Sequence, residues 1–107
     1  MPRGFSGMGD LVRQAQKMQH KMAEVQQSLK DRIVEGTAGG GMVTILVNGQ
    51  QEIVAVKIDP QVVDPDDPSM LEDLILAAAR QAIKKSRDMA QEEMGKVTGG
   101  VGLPGMF

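Results

Sequence analysis

Cysteine is absent from these 107 residues, and histidine occurs once, at His20. Disulfide staples, thiolate zinc sites and cysteine nucleophiles are therefore excluded, and no histidine-based triad or histidine-rich metal cluster can be assembled. Neither tryptophan nor tyrosine is present, and Phe5 and Phe107 are the only aromatic residues, so no aromatic platform exists on which bases could stack. No run approaches the roughly 18 apolar residues of a membrane span, and MPRGFSGMGD holds no apolar stretch of a secretory signal. A cytoplasmic protein without a membrane partner is expected. These absences favour a binding protein over an enzyme, with no cofactor or metal implied. Asp64, Asp66 and Asp67 lack the spacing and distal glutamate of a calcium loop and read as a proline-bound turn.

What is present is methionine, nine times, which fills cores and interfaces with soft, adaptable side chains. The charge is −2 overall but unevenly placed. Residues 1–34 hold six Lys/Arg against three Asp/Glu, residues 35–79 one against eight, and residues 80–107 five against three. Both ends are basic and the middle is acidic. If the ends are neighbouring helices, their faces can form a local anion-binding surface that the average charge conceals.

Between Asp10 and Ile33, Leu11, Ala15, Met18, Met22, Val25 and Leu29 recur in steps of four and three, one face of a long helix with Asp10 as its N-cap. The same steps fit a seam with a second chain, so core and dimer readings both stand. Ile33–Ala38 has weak strand character and meets the turn Gly39, Gly40 and Gly41, which lacks the Lys-Ser/Thr of a phosphate loop. MVTILV and EIVAVKI then form a hairpin around NGQQ. A two-residue turn would set Glu52 opposite Ile45. A four-residue loop from Asn48 to Gln51 is preferred, because it aligns Ile45 with Val54 and Val43 with Val56. That register gathers Val43, Ile45, Val47, Val54, Val56 and Ile58 on a face for the helices, and Met42, Leu46, Ile53 and Ala55 on a second face for another copy.

DPQVVDPDDP reads as an exposed connection, and Ser69 with Glu72 as a capping box opening a second helix. Leu71, Leu74, Ile75, Ala78, Ala82, Ile83 and Met89 supply its buried face, with Ala77, Ala78 and Ala79 permitting close backbone approach, until Gly95 ends it. Residues 1–94 thus form the domain. Residues 95–107 form a glycine-rich tail, expected to be flexible or laid into a groove, with Leu103, Met106 and Phe107 as anchors.

Opposite the apolar face of the first helix lie Arg13, Lys17 and His20, with Lys21 beside them, and Arg80, Lys84 and Arg87 repeat the spacing on the second. Two basic stripes of one design suit phosphate contact with double-stranded DNA, although solvated helix faces also carry Lys and Arg. Gln14, Gln16, Gln19, Gln26 and Gln27 are better explained as neutral helix formers than as readers of base edges. His20 has no carboxylate or nucleophile of obvious complementarity near it in the helix and is assigned no catalytic role.

The segments MGDLVRQAQKMQHKM, VNGQQEIVAVKIDP, LEDLILAAARQAIKKS and EEMGKVTGG with LPGMF closely resemble, along almost the whole chain, the YbaB/EbfC family of bacterial nucleoid-associated proteins. The resemblance implies an α+β chain of order α-β-β-β-α, with a three-stranded antiparallel sheet packed against long helices. It also implies a homodimer with helices projecting as tweezer arms, and DNA binding at the nucleoid with a part in gene regulation or recombination. The combined expectation is a non-catalytic duplex-DNA binder of low sequence specificity. Phosphate contacts are expected from Arg13, Lys17, Lys21, Arg80, Lys84 and Arg87. Dimer contacts are expected from Leu11, Met18, Met22, Met42, Leu46 and Ile53. The alternative is a protein-protein adaptor in DNA repair, recombination or replication, docking through its helices and tail.

Overall fold

The computed structural model describes residues 3–99, in the order α1 (Arg3–Leu29), β1 (Ile33–Ala38), β2 (Val43–Asn48), β3 (Ile53–Ile58), a 3-10 turn (Pro60–Val62) and α2 (Pro68–Gly99). Leu103, Met106 and Phe107 lie outside the described residues. The three strands form one antiparallel sheet in the order β1-β2-β3, as the resemblance implies. The molecule measures 80 × 25 × 16 Å with a radius of gyration of 21.0 Å, where a compact chain of this length would have about 13 Å. Its two long helices cause this: α2 lies on the sheet only as far as Ser86, and α1 leaves the sheet from Leu29.

The core is small and lies between α2 and two of the three strands. Val43, Ile45 and Val47 of β2 are buried with Val62, Ala78 and Ala82, and Val34, Leu71, Leu74, Ile75 and Ile83 pack around them. Gly36 makes this packing possible. A Cβ there would overlap the Ala78 carbonyl oxygen and stand 2.9 Å from the Ala82 Cβ, so glycine in β1 and alanines in α2 together bring helix and sheet into contact. The other flank of α2 is tied to the sheet edge. Gln81 Oε1 accepts from the Thr37 amide at 2.8 Å and Lys85 Nζ donates to the Glu35 carbonyl at 3.0 Å, which covers the outer edge of β1. At the far end of β2, the buried Ser86 hydroxyl donates to the Asn48 carbonyl at 2.6 Å. The Gly49 amide donates to the Leu29 carbonyl at 2.8 Å, fastening the hairpin loop to the root of α1.

Several expectations need correction. The β2-β3 register is Ile45 with Val56 and Val43 with Ile58, two residues from the one expected. Asn48 closes the loop by donating its amide to the Glu52 carbonyl at 2.9 Å, with Gln51 at φ 60 in the left-handed position that ends such a three-residue loop. A bulge at Val54 then sets Val47 opposite Ile53 and Leu46 opposite Ala55. Ile53 therefore shares the helix-side face with Val47, not the second face with Leu46, and the second face carries Glu35, Thr44 and Lys57 beside Leu46 and Ala55.

Helix limits differ as well. α1 begins before Asp10, since Gly7 and Gly9 weaken a helix by only about 1 kcal/mol each without stopping it, and Asp10 instead pairs with Arg13 at 3.0 Å. α2 opens on Asp67, whose carboxylate accepts the Met70 amide at 3.3 Å and the Ser69 hydroxyl at 3.0 Å, with Pro68 as first helical residue. Ser69 is thus inside the helix and does not cap it. Gly95 does not end α2, which continues to Gly99. The acidic connection is partly regular: Asp59 and Asp64 accept amides two residues on, at 2.9 Å each, and Val62 is buried.

Candidate nucleic-acid interface

Both basic stripes lie on exposed helix surface. Ala78, Ala82 and Ser86 face the sheet, and at 100° per residue Arg80, Lys84 and Arg87 fall on the opposite side of α2, where they border Ala79 and Ile83. On α1, Arg13 and His20 lie opposite Met18 and Met22, and with Gln16, Lys17, Lys21 and Glu24 they frame a shallow depression. Lys17 and Lys21 stand on the flank, bordering the apolar side of α1 as well as its basic side. Each stripe forms its own patch.

Carboxylates one turn away moderate each stripe. Asp10 pairs with Arg13 at 3.0 Å, Glu24 with His20 at 2.7 Å and Asp88 with Lys84 at 3.0 Å, all exposed and therefore weak. These acids were missed as partners, although their spacing of three or four residues is legible in the sequence. Among the described residues, Lys17, Lys21, Arg80 and Arg87 have no carboxylate within ion-pair distance. They are the cations most available to phosphate. Lys85 is committed to the Glu35 carbonyl and belongs to the scaffold.

One ion pair, between Arg32 and Glu93, has no signal in the sequence. Arg32, just beyond α1, meets Glu93 of α2 at 2.7 Å, and Lys96 meets the same carboxylate at 3.2 Å. Hydrogen bonds from Arg32 and then Lys96 hold the Glu93 carboxyl below its ordinary value of 4.5, against a smaller opposing effect of burial. This clasp joins the two helices where both leave the sheet.

The residues expected at a dimer contact divide by location. Leu11 is exposed and Met18 and Met22 are half-buried on the apolar side of α1, whereas Met42 packs on the core and Leu46 is half-buried on the second sheet face. Ile53 belongs to a larger exposed strip. α2 covers β1 and β2 but not β3, leaving Ile53, Val54, Val56 and Ile58 uncovered on the helix side of the sheet, with Val56 50% exposed. The bulge and the lateral position of α2 create this strip, and neither is readable from strand composition.

A profile of the YbaB/EbfC DNA-binding family matches residues 4–101. Several relatives carry the name nucleoid-associated protein. That of Alkaliphilus metalliredigens is 45% identical over 111 aligned positions, covering 98% of this chain and 97% of that protein. That of Acetivibrio thermocellus is 50% identical, covering 97% and 96%, and that of Syntrophobacter fumaroxidans 50% identical, covering 99% and 93%. The crystal structure of an uncharacterized protein from Helicobacter pylori shares the fold, with a TM-score of 0.63 at 23% identity over 73% of this chain and 90% of the other.

Proposed function

Since the chain belongs to the YbaB/EbfC DNA-binding family, we propose that it binds duplex DNA non-catalytically and with low sequence specificity, as a homodimer on the nucleoid. The observation that carries this reading is the outward placement of both basic stripes, with Lys17, Lys21, Arg80 and Arg87 free of carboxylate partners among the described residues. Arg13 and Lys84 complete the phosphate contacts by exchanging weak exposed ion pairs for phosphate. Low specificity follows from the chemistry, because lysine and arginine on phosphates position a duplex without reading its bases. Nucleoid organisation and an influence on gene expression would follow from such binding.

The uncovered strip of β3 supports the homodimer. A second copy laid there buries Ile53, Val54, Val56 and Ile58 and enlarges a core that one chain leaves small. Of the sheet contacts expected from the sequence, Ile53 lies within that strip, while Met42 and Leu46 are at most peripheral to it.

Fluorescence anisotropy on a labelled mixed-sequence duplex, repeated at rising salt, tests the proposal. Micromolar or tighter binding that weakens steeply with salt is expected. Combining Lys17→Glu with Lys84→Glu is expected to lower the affinity and flatten the slope of log K against log salt by about 1.8 for each protomer that contacts the duplex, the share of two phosphates. Unchanged affinity and slope in that variant would remove both stripes from the site.

A further inference from the structure

Between α1 and the end of α2 runs an open groove of about 840 Å³. Its floor is apolar: Leu11, Ala15, Met18 and Val25 of α1, with Val97 of α2. The seam of α1 is covered only at its root. Leu29 is fully buried and Val25, Met22 and Met18 are half-buried, but Leu11 is 66% exposed. Leu11 and Val25 stand nearly four turns apart, about 21 Å along the helix. The rim is cationic, with Lys17 and Lys21 on one wall and Lys96 on the other. Its carboxylate, Glu93, is already shared by Arg32 and Lys96.

We propose that this groove docks an amphipathic helix of another protein, about four turns long, with a Leu/Met-type apolar stripe flanked by Asp and Glu. α1 and the end of α2 leave a slot beside Val25 and Val97, and the apolar stripe of α1 continues from it to Leu11, a track for a further helix with anchors spaced at i, i+3, i+4 and i+7. Charge complementarity selects the partner. Acidic flanks meet Lys17, Lys21 and Lys96, while the α1 of a second copy would bring its own Lys17 and Lys21 against them. DNA matches the rim but gains nothing from five apolar side chains on the floor. The thioether of Met18 lets the floor adapt to side chains of differing shape. This role goes beyond DNA binding and does not rest on it, although Lys17 and Lys21 border both surfaces.

The test uses the full chain and three synthetic 16-residue peptides: one with a leucine stripe and glutamate flanks, the same stripe with lysine flanks, and a scramble of the first. Anisotropy of the labelled peptides is read together with methionine-methyl NMR of the protein. Saturable binding of the glutamate peptide alone, shifting the Met18 methyl and leaving that of Met70 at the start of α2 in place, is expected. Leu11→Gln with Met18→Gln keeps the charge and wets the floor. It is expected to weaken the peptide by roughly tenfold or more, since a few apolar contacts carry most of the docking energy and these two lose their apolar surface, and to leave DNA affinity within about twofold. Absence of saturable binding, equal binding of the lysine peptide or the scramble, or a peptide affinity untouched by the double variant would overturn the proposal. So would a fall in DNA affinity or in oligomeric mass in that variant, which would assign the floor to DNA or to a second copy. Failure of the Lys17→Glu, Lys84→Glu experiment bears on the DNA reading alone.

Discussion

Two glycines decide opposite questions. At Gly36 the missing side chain is the space that the Ala78 carbonyl and Ala82 occupy, so the contact between α2 and the sheet depends on it. Gly36→Ala is expected to destabilise the fold by about 1–3 kcal/mol, the usual consequence of overpacking, read as a lower urea midpoint at unchanged m. Gly95 has open space at its Cβ and sits inside a helix that the sequence suggested would end there. Gly95→Ala should therefore raise stability by about 0.5–1 kcal/mol, since alanine loses less backbone entropy in a helix. A loss of stability in Gly95→Ala would return the end of α2 to Gly95. The difference arises because a glycine followed by charged helix formers terminates a helix only if it adopts the left-handed conformation, and here it does not.

At the level of elements, the segment just beyond α1 is tied to α2 by the Arg32, Glu93 and Lys96 clasp, and the root of α1 is tied to the hairpin loop by Leu29 against Gly49. Because Glu93 is held below its ordinary value of 4.5 in the folded chain, its stabilisation is fully present above that value and is lost as pH falls through the folded value. The two helices are thus expected to loosen at acid pH, seen as a falling melting temperature from about pH 4.5 downward. Glu93→Gln should remove that component and lower stability at neutral pH, while Asp10→Asn, in an exposed pair on α1, should leave the acid response unchanged. An identical pH profile in Glu93→Gln would show that the clasp does not hold the helices. The elements themselves were legible in the sequence, because apolar steps of three and four and β-branched runs are local signals. The β2-β3 register was not, because a bulge at Val54 and a left-handed Gln51 leave no mark in a strand pattern.

The whole molecule is electrically and structurally polar. Its acidic residues gather around the connection from Asp59 to Asp73, at the end of the sheet where α2 begins, and its basic stripes lie along the helices. Several of these acids have structural duties as turn formers and as the cap of α2, which accounts for part of the acidic excess behind this chain's net charge of −2. The uncovered β3 strip is where oligomerisation can be tested. Val56→Glu is expected to halve the mass measured by light scattering with helical content retained. It should also weaken DNA binding by more than its one added charge, because fewer phosphates are neutralised per complex. A dimer that persists in Val56→Glu would put the contact elsewhere.

By itself the sequence determined the order of elements, the apolar and basic faces of both helices and the family, because each of these is written in local periodicity or in continuous motifs. Only the tertiary structure decided that α2 covers two strands and leaves β3 bare, that Ile53 faces the helix side, and that Glu93 joins α1 to α2. It also decided that Lys17 and Lys21 border a groove as well as a basic face. The physical reason is the same throughout. These features depend on where one packed element ends against another, and that limit is set by the volume of side chains distant in sequence, such as Gly36 against Ala78 and Ala82.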